Sequence, residues 1–310
     1  MKRLAVCLAG LMLCSTAIAQ PARPPITSVS HLSVYTSDPV KAERFYVHDL
    51  GAVKMPDPEN PQGVRYYFSP TQFVQLLPLP AGTGVNRLDH VAFNTANAEA
   101  LRRYRASKKI TVPRSVTKGS DGSQWFQVKD PEGGTVEFVQ PPVTLPSIPV
   151  NKVSGRIIHV GYVIHDRALQ DTFFRDVLGF KPYWYGGNRE GGPSWVSQQV
   201  PDGTDWMEYM IYGAAGAPRL PPTMTQVTAG VMNHFALGVE NIRDAYTTLW
   251  TEDRLQGQVE RGQPVVPKIG LDAKWQLNLI DPDGTRAEFM EFKAVGKPCC
   301  SPFTAPDPEK

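Results

Sequence analysis

The chain has 310 residues, a formal net charge of +2, 41% hydrophobic residues and 20% charged residues. This length suggests about two domains, and this composition is ordinary for a soluble globular protein. The nearly balanced charge gives no reason to expect binding to nucleic acid or to an acidic membrane surface.

Residues 1–20 have the pattern of a secretory signal peptide. A basic start is followed by an apolar run at residues 4–13, and Ala17 and Ala19 form a small-x-small cleavage site before Gln20. The apolar run is too short to span a bilayer. We therefore expect a secreted or periplasmic protein that has no membrane contact once the signal is removed.

The next part of the chain contains two modules, each built from a strand, a helix and further strands. Module one covers residues 26–80, and its helix begins at Asp38-Pro39, with aspartate as the cap and proline at the first helical position. Module two covers residues 87–142 and has an Asp-Pro-Glu-Gly turn before its last strand. A proline-punctuated stretch at residues 143–154 follows and predicts a linker.

Modules three and four repeat this order after the linker. Module three covers residues 155–212 and module four covers residues 231–294, again with an Asp-Pro-acid-Gly turn before the last strand. The long connection at residues 213–230 predicts a loop that covers a pocket. The tail, residues 295–310, holds two adjacent cysteines, and two neighbours alone cannot build a disulfide framework.

The first strand of every module carries a histidine near its start. These four residues are His31, His90, His159 and His234, out of six histidines in the chain. One strand histidine is usually a packed core residue, but the same position in four repeats is hard to explain by packing alone. Neutral imidazole is the commonest side-chain metal ligand, so the repeat indicates metal binding.

Acidic and amide side chains join these histidines. Glu137 and Glu288 each lie seven residues after the aspartate that opens their turn, so they share one strand register and one face. The last strands of modules one and three align without a gap, which matches Gln75 to Glu208. The two resulting sets are His31, Gln75, His90 and Glu137, and His159, Glu208, His234 and Glu288. Such sets suit divalent zinc, nickel, cobalt, manganese or iron.

With these residues, the chain resembles the vicinal oxygen chelate superfamily, which includes glyoxalase I, bleomycin resistance proteins and extradiol ring-cleaving dioxygenases. The resemblance rests on the module order, the repeated histidine, the Leu-Gly-Phe sequence at residues 178–180 and DPDGTRAE at residues 281–288. It implies an α+β fold of four βαβββ modules in two domains, residues 26–142 and 155–294. The sequence leaves open whether modules pair as one with two and three with four, or as one with four and two with three.

The resemblance implies that a metal in the concave face chelates two neighbouring oxygens of a small-molecule substrate. By position, the second set matches the glyoxalase-like ligands in full, and the first set matches with Gln75 replacing an acid. The predicted activity is glyoxalase- or epimerase-like isomerase or lyase chemistry through an enediolate-type intermediate. Glu208 or Glu288 is the candidate catalytic residue that moves the proton. The sequence is compatible with a monomer or a homodimer.

Two alternatives remain open. A two-histidine, one-carboxylate site with open positions is the non-haem iron pattern, so the first half, where Gln75 replaces an acid, could instead form an extradiol-type dioxygenase site. Ring-cleaving members resemble one another in a tyrosine about ten residues before the ligand glutamate, where this chain has Gln127 and Asn278. That difference counts against ordinary catechol cleavage. The second alternative is a non-catalytic small-molecule binding protein.

Overall fold

The computed structural model describes residues 22–81, 87–187, 194–211 and 233–310. The predicted signal peptide and the predicted loop at residues 213–230 lie outside the described residues. No helix in the described part of the chain is both long and apolar enough to cross a membrane.

The first half of the chain forms a sheet of eight described strands. These are β1 Ile26–Thr36, β2 Val53–Pro56, β3 Val64–Ser69, β4 Gln72–Pro78, β5 Leu88–Thr95, β6 Thr117–Lys118, β7 Gln124–Lys129 and β8 Thr135–Gln140. Their order across the sheet is β2-β3-β4-β1-β5-β8-β7-β6. Modules one and two therefore pair with each other, through the antiparallel contact of β1 with β5 at the centre of the sheet.

The second half repeats this sheet. Its strands are β9 Ile157–Ile164, β10 Lys181–Gly186, β11 Trp195–Gln199, β12 Trp206–Ile211, β13 His234–Val239, β16 Lys268–Ile269, β17 Trp275–Ile280 and β18 Arg286–Glu291. Between β13 and β16 the chain forms a separate hairpin, β14 Val259–Glu260 with β15 Gln263–Pro264. The order is β10-β11-β12-β9-β13-β18-β17-β16, so modules three and four pair as well. The fold is α+β, with two curled sheets built from paired modules.

Each module has one helical connection after its first strand. These are α1 Pro39–Glu43 with a π-helical continuation Arg44–Asp49, α2 Ala98–Ser107, α3 Arg167–Asp171 with a π-helical continuation Thr172–Val177, and α4 Ile242–Thr251. As predicted, Asp38 caps α1 by accepting the Lys41 amide at 3.1 Å. These helical crossovers return the chain so that β4 lies parallel to β1 and β8 lies parallel to β5.

The two halves share one core. The Tyr46 hydroxyl donates to Asp281 Oδ2 at 3.0 Å, and the Tyr162 hydroxyl donates to Asp130 Oδ2 at 2.9 Å. Each Asp-Pro-acid-Gly turn is thus tied to a buried tyrosine of the other half. Because all four side chains are buried, breaking either contact would leave an unpaired polar group in the core.

The tail packs against the second sheet. Cys299 and Cys300 form a disulfide, and the Trp184 indole nitrogen donates to the Cys299 carbonyl at 3.1 Å. Asp307 accepts from the fully buried Lys274 ammonium at 2.7 Å. No strand was predicted at β2 or β10, which are outer strands of their sheets.

Candidate metal centres

The two central strands of the first sheet bring His31 and His90 together. Because β1 and β5 run antiparallel, with Ser33 opposite His90, the two imidazoles project from one face. Their Nε2 atoms are 2.8 Å apart, and each lies 3.7 Å from Glu137 Oε1. The three side chains are buried and offer ligand atoms that all lie within 4.8 Å of one another, so they can hold a metal ion.

The side chain of Gln75 makes its hydrogen bonds to residues outside this group of three. Its amide oxygen accepts from the Ser33 hydroxyl at 2.5 Å, and its amide nitrogen donates to Asp57 Oδ2 at 2.6 Å. The predicted ligand role of Gln75 therefore has no support from its hydrogen bonds. Gln127 donates to Glu137 Oε2 at 2.8 Å and orients that carboxylate instead.

Arg65 fills the space beside the first group. It lies opposite Gln75 on β3, is 2% exposed, and its guanidinium is 4.2 Å above the Phe73 ring, which stacks on His31 at 4.3 Å. Its charge is paired with Asp57 at 3.0 Å and with Glu59 at 2.5 Å. A buried and internally paired charge network therefore occupies the concave face of the first sheet.

The second sheet builds the matching group from His159, Glu208 and His234. The ligand atoms of these three residues also lie within 4.8 Å of one another. His234 Nε2 is 3.2 Å from Glu208 Oε2, and His159 Nε2 is 3.4 Å from Glu288 Oε2. All four residues predicted for the second set thus lie together.

Gly161 permits this arrangement. It lies opposite His234 in the register of β9 with β13, at the position that Ser33 holds in the first sheet. A Cβ atom added to Gly161 would be 2.1 Å from His234 Cε1. The imidazole therefore uses the space that a side chain at residue 161 would need.

The pKa values of the second group favour the protonation states that bind a cation. Burial raises the pKa of Glu208, but the hydrogen bond with His234 and the charges of His234 and His159 together outweigh burial and leave that pKa lowered. Burial likewise opposes ionisation of Glu288, while His159 and the charge of Arg286 bring its pKa down to about 2. Burial and Arg286 also lower the pKa of His234. Two ionised carboxylates and a neutral imidazole are the forms that bind metal.

The first group holds its protons more tightly. Burial and the neighbouring His90 lower the pKa of His31. Burial favours neutral His90, but the charges of Glu137 and Asp89 outweigh it and raise the pKa of His90. Burial also raises the pKa of Glu137. A metal entering this group must therefore displace protons that the second group does not carry.

Unpartnered polar atoms in both groups fit a bound cation. Neither ring nitrogen of His159 has a hydrogen-bond partner among the described residues, although the side chain is buried. Glu137 Oε1 is likewise buried without a hydrogen bond. Buried polar atoms without a partner are costly, and a divalent ion at either centre would satisfy these ones.

Among the described residues, the second group lines a pocket large enough for a small molecule. A cavity of about 340 Å³ is lined by Glu208 and Glu288, with Trp184 and Trp195 as aromatic walls. The remaining lining residues are Lys268, Ile269, Gly270, Leu271, Asp272, Gln276, Arg286 and Met290. A small molecule entering this cavity would meet the carboxylates of Glu208 and Glu288 directly.

The sequence analysis missed several of these residues. Arg65, Trp195 and Asp272 were not singled out, and Arg286 appeared only within the motif at residues 281–288. The alternation along β18 was the available signal for Arg286, because it lies two residues before Glu288 and so on the same face.

The chain matches no protein-family model and no curated protein sequence. Its fold matches an extradiol ring-cleaving dioxygenase from Brevibacterium fuscum, with a TM-score of 0.63 and 18% identity over 88% of this chain and 73% of that chain. Homoprotocatechuate 2,3-dioxygenase from Arthrobacter globiformis matches with a TM-score of 0.63 and 16% identity, over 89% and 84% of the two chains. The chain has the vicinal oxygen chelate fold. The predicted superfamily resemblance is confirmed at the level of fold, with two tandem copies.

One of the matching solved structures contains a bound small molecule. Homoprotocatechuate 2,3-dioxygenase from Brevibacterium fuscum in complex with 3,4-dihydroxyphenylacetate matches with a TM-score of 0.62 and 18% identity, over 88% of this chain and 82% of that chain. The molecule bound by that enzyme is a small aromatic diol.

Proposed function

We propose that the second centre is the active site of a metal-dependent enzyme of the extradiol dioxygenase type, acting on a small aromatic diol. The observation that carries this proposal is the meeting of a two-histidine, carboxylate-containing group with an aromatic-walled cavity of about 340 Å³. The similarity in fold to ring-cleaving dioxygenases supports it.

In this proposal His159 and His234 hold the ion together with Glu288, whose Oε2 lies 3.4 Å from His159 Nε2. Two histidines with one carboxylate form the pattern of non-haem iron sites. Iron(II), when bound, supplies the redox chemistry with dioxygen. Trp184 and Trp195 bind and orient the flat ring of the substrate between them. Glu208 is ionised at neutral pH, and its side chain is 14% exposed, so Glu208 Oε2 can accept a proton from a substrate hydroxyl.

A direct test combines metal analysis with oxygen consumption. The mature chain, loaded with iron(II) under anaerobic conditions, should consume dioxygen when a catechol is added and should yield a yellow ring-cleaved product. Iron uptake without any oxygen consumption over a panel of catechols would contradict the dioxygenase proposal. Failure of the protein to bind any divalent metal would contradict an active site of this kind altogether.

The second candidate is the isomerase or lyase chemistry predicted from the sequence. It is favoured by Glu208, which completes a four-residue set with two histidines and two carboxylates. It is also favoured by Asn278, which lies opposite Glu288 where ring-cleaving members resemble one another in a tyrosine. This candidate predicts turnover of a 2-oxo or 2-hydroxy carbonyl compound with nickel, cobalt or zinc and without oxygen, which the same oxygen electrode distinguishes.

Export belongs to the proposal as well. The pattern at residues 1–20 supports cleavage after Ala19 and a secreted or periplasmic location. Expression of the full chain in a bacterium, followed by fractionation and N-terminal sequencing, should give a mature protein beginning at Gln20. Recovery of the uncleaved chain from the cytoplasm would contradict this part of the proposal.

A further inference from the structure

Arg286 lies on the inner face of the last strand of the second sheet. Residues alternate between the two faces of a strand, and Arg286, Glu288 and Met290 all line the cavity beside the second centre. The matching position in the first sheet is Thr135, two residues before Glu137. The arginine is therefore a feature of the second half alone.

The guanidinium of Arg286 forms no close ion pair with a carboxylate in the described part of the chain, although its charge helps to lower the pKa of Glu288 on the same strand. Its Nε atom is buried without a hydrogen bond. Lys268, the other cation that lines the cavity, is bound to both oxygens of Glu260 at 2.6 and 2.9 Å. Arg286 is therefore the cavity-lining cation that is available to a ligand.

The positive charge of Arg286 beside the cavity also favours the binding of an anion. With a divalent ion in place, Glu208 and Glu288 neutralise the ion, and the charge of Arg286 remains. Asp272 offsets this charge only in part, since burial raises its pKa to about 7 and one of its oxygens accepts the Lys274 amide. A partly desolvated guanidinium is stabilised by a carboxylate, which it can bind through two parallel hydrogen bonds.

We propose that Arg286 binds the carboxylate of the substrate, which makes the preferred substrate an aromatic diol that carries an acidic side chain. This inference rests on the proposed function, because the diol is the part of the molecule that meets the metal. Trp184 and Trp195 contact the ring, and Arg286 sets which ring substituent is accepted. Arg286 is thus the residue that determines specificity.

The test compares two ligands of nearly equal size on the zinc-loaded protein, since zinc holds the diol without turnover. Calorimetry gives the dissociation constants of 3,4-dihydroxyphenylacetate and of 4-ethylcatechol, which has a methyl group in place of the carboxylate. We expect the parent to bind the acid more tightly by about tenfold or more, as charge-assisted hydrogen bonds imply. Arg286→Gln should remove this preference, and Arg286→Lys should retain part of it.

Lys268→Gln is the matched control, because Lys268 lines the same cavity but is already paired with Glu260. It should leave the preference unchanged. Zinc content and thermal unfolding establish that each variant is folded and loaded. Equal binding of both ligands by the parent, or a preference that survives in Arg286→Gln, would overturn the role of Arg286 and leave the proposed function standing. Failure of the zinc-loaded parent to bind either diol would overturn both.

Discussion

The two centres are built on the same strands of the same module pair, yet their surroundings are opposite. In the first, Arg65 faces Gln75 and brings two acidic partners into the concave face. In the second, the matching pair is Ser197 and Glu208, so the residue opposite the carboxylate is small and uncharged. The first face thus carries a buried charge network, whereas the second centre meets a cavity of about 340 Å³.

The lesson of the comparison is that equivalent ligands do not make equivalent sites. Both groups can hold a metal, but within the described ranges it is the second that lines a cavity large enough for a small substrate. We therefore expect the first centre to act as a buried structural site, if it is loaded, and the second to carry activity.

The largest effect is expected from His234→Ala at the second centre. His90→Ala is the equivalent change at the first centre and serves as the comparison. Loss of a ligand should weaken metal binding at the second centre by more than about 100-fold, since even residues that only orient ligands cost 10- to 100-fold. Activity should fall to background in His234→Ala and persist in His90→Ala. Elemental analysis and turnover on the same samples check this. Equal loss of activity in both variants would refute the division of roles.

Replacement of Arg65 tests the filled face of the first sheet. Arg65→Met leaves Asp57 and Glu59 buried without their cation, and breaking such a pair costs about 3–5 kcal/mol of unfolding free energy. Because burial raises the pKa of Glu59, protonation of this carboxyl group should limit the loss to the lower end of that range. Urea denaturation measures it.

The matched control for Arg65 is Ser197→Ala in the second sheet. Ser197 is buried, but its hydroxyl lies 3.5 Å from Glu208 Oε1, so little should be lost. We expect a change of less than about 1 kcal/mol. If Ser197→Ala destabilised the protein as much as Arg65→Met, the two concave faces would not differ in the way described.

Gly161→Ala tests the close approach of β9 to His234. The added methyl group would lie 2.1 Å from His234 Cε1, so the imidazole must move. Such overpacking lowers the free energy of unfolding by about 1–3 kcal/mol. Metal affinity at the second centre should fall, and the first centre should be unaffected. Ser33→Ala, at the equivalent position of the first sheet, is the control. Unchanged metal binding in Gly161→Ala would show that His234 does not need its present position.

The smallest effect is a difference in pH dependence between the centres. The pKa values of Glu208, Glu288 and His234 are lowered, so these ligands stay deprotonated as the pH falls from neutral. The pKa values of His90 and Glu137 are raised, so protons compete earlier for the first centre. Each proton that must be displaced weakens binding by about tenfold per pH unit below the pKa of its group.

The two centres can be titrated separately. His234→Ala retains the first centre and His90→Ala retains the second, and zinc affinity is measured for each between pH 5 and pH 8, about one to two units on either side of the histidine pKa. The first centre should lose zinc at the higher pH. The reverse order would contradict the electrostatic difference between the two halves.

Much of this protein could be predicted from the chain alone because its repeats are internal. The recurrence of one histidine per first strand and of the seven-residue spacing to Glu137 and Glu288 places each residue in a register, and register determines which face a side chain occupies. The α+β fold of paired modules followed from the same repeats through the superfamily resemblance. All four residues of the second set lie together for this reason.

Other features depend on contacts between distant segments. Module pairing was decided by the antiparallel contact of β1 with β5 and of β9 with β13, which local patterning does not specify. Gln75 lies in the predicted register, but its amide is used by Ser33 and Asp57, and Asp57 arrives from another segment.

The shared faces of the candidate ligands could be predicted from the chain alone, since strand alternation and turn length are local properties. Which of the two centres meets a cavity could not be predicted in this way. Access depends on what packs beside the ligands, and the charge network of Arg65 and the tryptophan walls of the second cavity come from segments far apart in the chain. The periodicity of the sequence does not show whether side chains fill a concave face or leave it open, so only the assembled fold distinguishes the two centres.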